Sequence, residues 1–192
     1  MMELIFATNN AHKLEEVQAI VGDKFTIKSL SDIGCYDDIP ETGETFHENA
    51  RQKTDYLFAK YQLNCFGDDS GLEIDVLNGE PGVYSARYSG SRDMEKNIDL
   101  VLERLKEESH RTARFKTVIS LFLENKQYYF EGAIEGRIIA ERRGEKGFGY
   151  DPIFIPEGYE QTFAEMSAEG KNAISHRAIA VQKLVDFLVS YP

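Results

Sequence analysis

Two long segments in which apolar and polar residues alternate constrain the fold of this chain more than any other feature. Residues 112–124 alternate in this way, with Ser120 among the polar positions, and residues 127–141 continue the pattern. A period of two is typical of a strand that buries one face. Asn125-Lys126 lies between the two segments and favours a hairpin turn. The sequence therefore predicts a pair of long antiparallel strands.

The first third of the chain predicts a β-α-β unit followed by another helix. Residues 3–7 form an apolar run of strand length, and apolar positions spaced by three and four over residues 11–21 predict a helix. Residues 25–30 predict a second strand, and residues 45–61 a second helix.

The second half predicts further helices and one short strand. Asp93 is expected to cap a helix, and residues 153–155 to form a strand. Thr162 and Glu165 have the spacing of a capping box, which predicts a short helix. Ser175 stands where the N-cap of a last helix is expected.

Composition and charge limit the classes of function. The 192 residues, 42% of them hydrophobic, can bury one core, so one domain over residues 1–192 is expected. The net charge of −11 argues against a nucleic-acid partner, which needs a basic surface. Two cysteines are too few for a disulfide scaffold and favour the reducing cytoplasm. Without a signal sequence or an 18-residue apolar run, neither secretion nor a membrane span is expected.

An acidic stretch, FGDDSGL at residues 66–72, lies between two short apolar segments that each predict a strand. Asp68 and Asp69 are therefore expected in a turn, where Ser70 and Gly71 leave backbone N–H groups available to a ligand. This combination suits a metal ion and phosphate oxygens. Taken alone, the stretch also fits an ordinary surface turn stabilised by its aspartates.

A second set of residues can complete such a site. Glu41 with Asp68 and Asp69 can form an oxygen-only site, in which Mg²⁺ keeps water and substrate phosphate as further ligands. Asn49 and Lys53 lie one turn apart on the predicted second helix and can reach a common ligand. The alternative for each carboxylate is a solvated surface position.

The segment between the first strand and the first helix can hold phosphate. Exposed N–H groups and the helix dipole favour an anion there. The segment lacks the Gly-Lys-Ser/Thr ending of a P-loop, and a capped helix with a solvated lysine is the alternative. Its residues are Thr8, Asn9, Asn10, Ala11, His12 and Lys13.

Two later segments can contact a flat base. Phe148 and Tyr150 alternate with glycines, so that a ring can stack on a ligand; alternatively, both aromatic rings fill the core. Lys171, His176 and Arg177 place cations and donors near the start of the last predicted helix. The alternative for them is a capped helix with an exposed His-Arg pair.

Taken together and in this order, the motifs resemble those of the inosine triphosphate pyrophosphatase family. The match runs almost end to end, and seven segments in register are specific where each alone is weak. The segments are Thr8-x-Asn10-x-x-Lys13, Glu41-Thr42-Gly43, Glu48-Asn49-Ala50 with Lys53, Asp68-Asp69-Ser70-Gly71-Leu72, residues 81–88 (PGVYSARY), Phe148-Gly149-Tyr150-Asp151-Pro152, and Lys171-x-x-x-Ser175-His176-Arg177.

The resemblance implies a fold and an activity. The fold is α/β, with an elongated central mixed β-sheet flanked by helices and an active-site cleft between two lobes. The activity is Mg²⁺-dependent hydrolysis of the non-standard purine nucleotides ITP, dITP and XTP to the monophosphate and pyrophosphate. Such enzymes are typically homodimers, and the aromatic-rich loop over residues 83–88 is apolar enough to form an interface.

The resemblance also implies a role for individual residues. On the phosphate side it assigns Thr8 to Lys13 and Lys53 to the triphosphate, Glu41 and Asp69 to the metal, Asp69 to the base that activates water, and Ser70 to substrate contact. Around the purine it places Phe148, Gly149, Tyr150, Asp151, Lys171, His176 and Arg177, with Phe148 stacking. Whether Asp68 or Asp69 is the base or a metal ligand stays open.

Two other functions fit parts of the pattern. A Maf-type nucleotide pyrophosphatase has a related architecture and acts on other nucleotides, but the motifs on the purine side argue against it. A nucleotide-binding sensor without turnover would keep the pocket, although the presence of both Asp68 and Asp69 weakens that alternative.

Overall fold

The computed structural model describes residues 3–191 as a mixed α/β fold. Its strands are β1 (Glu3–Phe6), β2 (Thr26–Lys28), β3 (Cys65–Ile74), β4 (Thr112–Leu123), β5 (Lys126–Ile138) and β6 (Phe154–Pro156). Its helices are α1 (Ala11–Val21), α2 (Phe46–Tyr61), α3 (Met94–Arg104), α4 (Ala168–Ile174) and α5 (His176–Ser190). Within residues 3–191, no helix is both long and apolar enough to cross a membrane.

The strands form one mixed sheet in the order β2-β1-β3-β4-β5-β6. Strand β1 is parallel to β2 and to β3, whereas β6 is antiparallel to β5. The parallel pairs follow from the β-α-β opening, because a crossover helix returns the chain in the same direction. The predicted mixed α/β class with helices flanking a central sheet is confirmed.

The chain divides into two compact units, each with its own core. The first unit comprises Met1–Asp69, Thr117–Gly132 and Arg177–Pro192, and the second comprises Ser70–Lys116 and Ala133–His176. Apolar residues of β1, α1, β4 and α5 fill the main core of the first unit, and those of β3, α3 and β4 contribute to the core of the second. The predicted single domain over residues 1–192 begins and ends outside the described residues and stays a prediction.

Helices α1 and α2 begin where side chains can cap them. Asn10 accepts a hydrogen bond from the backbone N–H of Lys13 and starts α1, which ends at Gly22 with φ of 58°. Thr45 and Glu48 form a reciprocal capping box at the start of α2. The predictions of both helices are confirmed, whereas β2 is shorter than the predicted residues 25–30.

The capping box of α2 gives a prediction for stability. Replacing Thr45 with Ala removes the acceptor for the N–H of Glu48. We expect the free energy of unfolding in urea to fall by about 1 kcal/mol, the usual effect of losing such a cap. Thr45→Ser keeps the hydroxyl and is the control. Equal unfolding midpoints for the wild type and Thr45→Ala would contradict this prediction.

The acidic stretch is part of a strand, so the prediction of two short strands with a turn between them is wrong. Asp68 and Asp69 lie within β3, a single strand of 10 residues that is hydrogen-bonded between β1 and β4. Pairing along both edges of the strand outweighs the turn preference of Asp, Ser and Gly. Gly67 is required by the close packing of α2, because a Cβ atom there would lie 2.9 Å from Cβ of Lys53.

The long hairpin is confirmed, but its turn and its burial differ from the prediction. The turn lies at Glu124 and Asn125, one residue earlier than predicted, and both have positive φ, as in a type I′ turn. The neighbouring residues Ile119 and Ser120 are both buried, so the middle of β4 is covered on both faces. The hydroxyl of Ser120 lies 3.0 Å from that of Thr54 on α2, which satisfies its hydrogen-bonding need.

The predicted short helix at Thr162 is also wrong, although its capping hydrogen bonds exist. Thr162 and Glu165 bond reciprocally within a turn, and the helix that follows, α4, begins only after Ser167. Lys171 therefore lies in the last turn of α4 instead of at a helix start. A cation near a helix C-terminus is favoured by the dipole.

Candidate active site

Adjacent residues of β3 direct Asp68 and Asp69 to different partners. The Asp68 carboxylate lies 3.0 Å from Nζ of Lys13 and 3.5 Å from Nε of Arg177. The Asp69 carboxylate accepts a hydrogen bond from Nδ2 of Asn49 at 2.9 Å. Successive side chains of a strand point to opposite faces, which explains the separation. The two acids are therefore not equivalent.

The pKa values of the two carboxyl groups shift in opposite directions. Burial tends to raise the pKa of Asp68, but the charges of Lys13, Arg177 and Lys53 outweigh it and hold this pKa well below its usual range. Burial raises the pKa of Asp69, and the nearby lysines only partly offset the effect. Asp68 is thus a permanent counter-ion, whereas Asp69 is the better proton acceptor.

Lys53 links the loop that carries Glu41 to strand β3. Its ammonium lies 2.5 Å from Oε1 of Glu41 and donates to the backbone carbonyl of Asp68 at 2.6 Å. Asn49, one turn earlier on α2, accepts from the N–H of Gly43 at 2.7 Å while it donates to Asp69. Asn49 thus contacts Asp69, and Lys53 contacts Glu41. That Asn49 and Lys53 reach a common ligand stays a prediction.

Glu41 and Asp69 are the candidate carboxylates for a divalent cation. Among the residues that the structure describes, no cluster of three or more His, Cys, Asp or Glu side chains could hold a metal. Mg²⁺ needs only one or two carboxylates when water and phosphate complete its shell. The negative charge of Glu41 adds to the rise in the pKa of Asp69, so the two carboxylates repel each other, and a bound cation would relieve that repulsion. Asp68 is a poor third ligand because cations already contact its carboxylate.

The expected phosphate segment at the start of α1 uses two of its side chains as local caps. Thr8 accepts from the N–H of Asn10, and Asn10 from the N–H of Lys13. Asn9, Ala11 and His12 are exposed. Lys13 has a side chain only 15% exposed, and it is paired with Asp68. The alternative of a solvated lysine is therefore wrong.

Arg177 belongs to the same cluster as Lys13. Its side chain is 2% exposed, and its guanidinium contacts Glu16 as well as Asp68. Glu16 was not predicted, although its place three residues after Lys13 on one helix face could have pointed to it. Arg177 lies in the first unit, whereas the other residues expected around the purine lie in the second. The exposed His-Arg pair that we considered is excluded, since His176 and Arg177 are both buried.

In the second unit, Phe148, Asp151 and Lys171 form a compact group. Nζ of Lys171 lies 2.8 Å from Oδ2 of Asp151 and 4.8 Å from the centre of the Phe148 ring. Oδ2 of Asp151 also accepts from the N–H of Phe148 at 2.8 Å. Gly147 allows this approach, because a Cβ atom there would lie 2.1 Å from that oxygen. An ammonium and a carboxylate are thus held beside an aromatic ring.

Four further predicted site residues are Tyr150, His176, Gly149 and Ser70. Tyr150 is 4% exposed and donates from its hydroxyl to the carbonyl of Ser85, so its ring fills the core, as the alternative for this segment predicted. The ring of His176 stacks on Phe115, with centroids 4.9 Å apart. The N–H of Gly149 faces the sulfur of Met94. Ser70 lies half-buried in β3.

Comparison with known proteins identifies the class to which this fold and these side chains belong. Residues 4–187 match the Ham1 family, and the chain belongs to that family. The resemblance to inosine triphosphate pyrophosphatases is thereby confirmed.

Individual relatives are similar over their whole length. The chain is 50% identical over 190 residues to the dITP/XTP pyrophosphatase of Flavobacterium johnsoniae, covering 98% of this chain and 99% of that protein. It is 52% identical over 188 residues to the dITP/XTP pyrophosphatase of Christiangramia forsetii, covering 97% and 99%. The structure of the Staphylococcus aureus Ham1 protein superposes with a TM-score of 0.90 at 38% identity, covering 99% and 100%.

Proposed function

We propose that this protein hydrolyses the non-standard purine nucleoside triphosphates dITP, ITP and XTP to the monophosphate and pyrophosphate. The observation that supports this most strongly is the buried cluster in which Lys13, Lys53 and Arg177 surround Asp68. The carboxylate of Asp69 lies outside this cluster of cations and accepts a hydrogen bond from Asn49. An acidic protein needs such local cations to bind a triphosphate. The relatives named dITP/XTP pyrophosphatase give the substrate class.

Asp69 is the general base of the proposed reaction. It removes a proton from the attacking water while the anhydride bond between the monophosphate and pyrophosphate parts breaks, and its raised pKa favours this transfer. Lys13 and Lys53 neutralise phosphate oxygens as negative charge moves to the leaving group. Asp68 positions these cations and takes no part in proton transfer. Thr8 to His12 supply N–H and polar groups, and Ser70 a hydroxyl, to the phosphate chain.

Mg²⁺ is the proposed cofactor, held by Glu41 and Asp69. When bound, the ion would neutralise phosphate charge and polarise the phosphoryl group. In the protein alone, Lys53 provides positive charge beside Glu41. The nucleotide would then draw the ammonium of Lys53 towards its own phosphates.

The group around Phe148 is the proposed site for the purine. Hypoxanthine presents a 6-oxo acceptor next to an N1–H donor, and Lys171 with Asp151 presents a matching donor and acceptor beside a ring that can stack. Adenine reverses both groups and would leave buried polar atoms unpaired. Gly149, Tyr150, His176 and Arg177 complete the proposed set, with Arg177 acting through its contacts to Asp68 and Glu16.

A product assay with dITP, run with Mg²⁺ and with a chelator, tests this function. We expect one equivalent each of dIMP and pyrophosphate with Mg²⁺, and almost no product when the metal is removed. A Maf-type enzyme would instead prefer other nucleotides, and a sensor would bind dITP without turnover. Release of inorganic phosphate with dIDP as the first product would contradict the proposal.

Two further proposals accompany the activity. We expect a homodimer in which the loop over residues 83–88, with Tyr84 54% exposed, contributes apolar surface. Sedimentation as a monomer at all micromolar concentrations would contradict this proposal.

We also expect the protein to be in the cytoplasm, where nucleoside triphosphates are used. Fractionation of cells that express the protein tests this expectation.

A further inference from the structure

The loop that carries Phe148 rests on a second loop of the same unit. We call residues 143–151 the base loop and residues 160–166 the support loop; both belong to the second compact unit. The support loop contains the capping box of Thr162 and Glu165, which starts no helix. The support loop is instead hydrogen-bonded to the base loop.

Arg143 of the base loop is hydrogen-bonded to several residues of the support loop. Its Nη2 atom lies 2.7 Å from Oε2 of Glu165, its Nε atom lies 3.2 Å from the same oxygen, and Nη2 also donates to the carbonyl of Glu160 at 2.5 Å. The hydroxyl of Thr162 donates to the carbonyl of Arg143 at 2.7 Å. The N–H of Thr162 donates to Glu165 at 2.8 Å. Arg143, Thr162 and Glu165 therefore form a closed set, in which each residue is hydrogen-bonded to the other two.

The backbones of the two loops also meet closely. A Cβ atom on Gly144, which has φ of +87°, would lie 2.4 Å from the carbonyl carbon of Ala164. The N–H of Lys146 donates to the carbonyl of Ala164 at 3.1 Å, and the N–H of Ala164 donates to that of Asp151 at 3.3 Å. The support loop thus contacts both ends of the segment that contains Phe148.

Stability alone does not account for this arrangement. The side chains of Arg143 and Glu165 are 44% and 29% exposed, and ion pairs at such positions contribute little to the free energy of folding. The forked pairing of a guanidinium with a carboxylate instead fixes geometry. The support loop also carries Phe163, whose ring lies 5.6 Å from Nζ of Lys171.

We propose that Arg143, Thr162 and Glu165 are positioning residues that set the affinity for the purine by fixing the base loop. The proposal rests on the function proposed above for Phe148, Asp151 and Lys171. Their hydrogen bonds to one another and to Glu160 lie within the second unit, whereas Lys13 and Asp68 belong to the first. The proposal is therefore that they affect recognition of the base and leave phosphate binding and the chemical step unchanged.

The test compares Arg143→Gln with Arg104→Gln. Arg104 lies in the same unit and forms a similarly exposed ion pair with Glu80, with a side chain 42% exposed, so it controls for loss of a surface charge. The measurements are kcat and KM for dITP, and the inhibition constant of inorganic tripolyphosphate, which has a phosphate chain and no base. Arg143→Lys keeps the positive charge but lacks the forked guanidinium group that pairs with the carboxylate.

For Arg143→Gln we expect KM for dITP to rise about tenfold, the effect of losing one charge-assisted hydrogen-bonded pair, with kcat and tripolyphosphate inhibition unchanged. Arg143→Lys should fall between this variant and the wild type, and Arg104→Gln should match the wild type. An unchanged KM, or a joint change of kcat, KM and tripolyphosphate inhibition, would overturn the proposal.

Hydrogen exchange separates this proposal from the function on which it rests. In Arg143→Gln the amides of Lys146 and Phe148 should exchange about tenfold faster than in Arg104→Gln, because their loop has lost its anchor. If the wild type does not hydrolyse dITP, the proposed function fails and exchange decides the positioning role. Equal exchange in the two variants would then overturn that role.

Discussion

Asp69→Asn is expected to lower the turnover of dITP by a factor of about 10²–10⁴ while the protein stays folded. The substitution keeps the shape of the side chain and its contact with Asn49. It removes the group that accepts the proton from water, and it removes one of the two carboxylates proposed to hold Mg²⁺. Steady-state kinetics with dITP at saturating Mg²⁺ measure the effect.

Asp55→Asn is the matched control for this loss of a carboxylate. Asp55 lies on α2, is half-exposed and pairs only with a surface arginine among the contacts of the described residues. Its turnover should equal that of the wild type. If Asp69→Asn hydrolyses dITP at a near-normal rate, while Asp68→Asn is fully folded but has lost its turnover, the roles of the two acids are reversed.

Asp68→Asn is expected to reduce stability, by about 3–5 kcal/mol, because it leaves buried cations without their counter-charge. The side chains of Asp68 and Arg177 are each 2% exposed, so water cannot replace the lost carboxylate. The free energy of unfolding in urea, measured with a chelator present, gives the effect, and Asp55→Asn should change it by less than about 0.5 kcal/mol. A loss below about 1 kcal/mol in Asp68→Asn would contradict the counter-ion role.

The stabilisation by Asp68 should depend on pH in a defined direction. Its pKa is lower in the folded protein than the ordinary value of about 3.9 in the unfolded chain. The stabilisation is therefore complete above that value and is lost as the pH falls below it. The difference in stability between the wild type and Asp68→Asn should shrink with acidification below about pH 4.

Local sequence patterns predicted the starts of α1 and α2 well and the acidic strand poorly. The boundaries of α1 and α2 follow from Asn10 and Thr45, whose capping acts within one turn of the chain. The strand character of Asp68 and Asp69 depends on pairing with β1 and β4, which are distant in sequence. The helix predicted from the capping box at Thr162 is wrong for a related reason, since the hydroxyl of Thr162 donates to the carbonyl of Arg143, which is distant in sequence.

For the candidate site, the sequence identified which residues take part better than it identified which residues they contact. Lys13, Lys53 and Asp69 were predicted as functional, and the structure places them in one unit. That Asp68 pairs with Arg177, and Arg177 with Glu16, brings together residues more than a hundred positions apart. No spacing rule reports such contacts, because they arise only when the strands and helices have packed.

The selectivity of the purified protein among purine triphosphates tests the central claim most directly. The measurement is kcat/KM for dITP, XTP, dATP and dGTP under one set of conditions with Mg²⁺, with Asp69→Asn as the blank for contaminating activity. We predict that kcat/KM for dITP and XTP exceeds that for dATP by about a hundredfold or more, since adenine would leave buried polar groups unpaired. Guanine has the same 6-oxo and N1–H groups as hypoxanthine, so dGTP reports separately on recognition of its 2-amino group. Equal kcat/KM values for dITP and dATP would contradict the account.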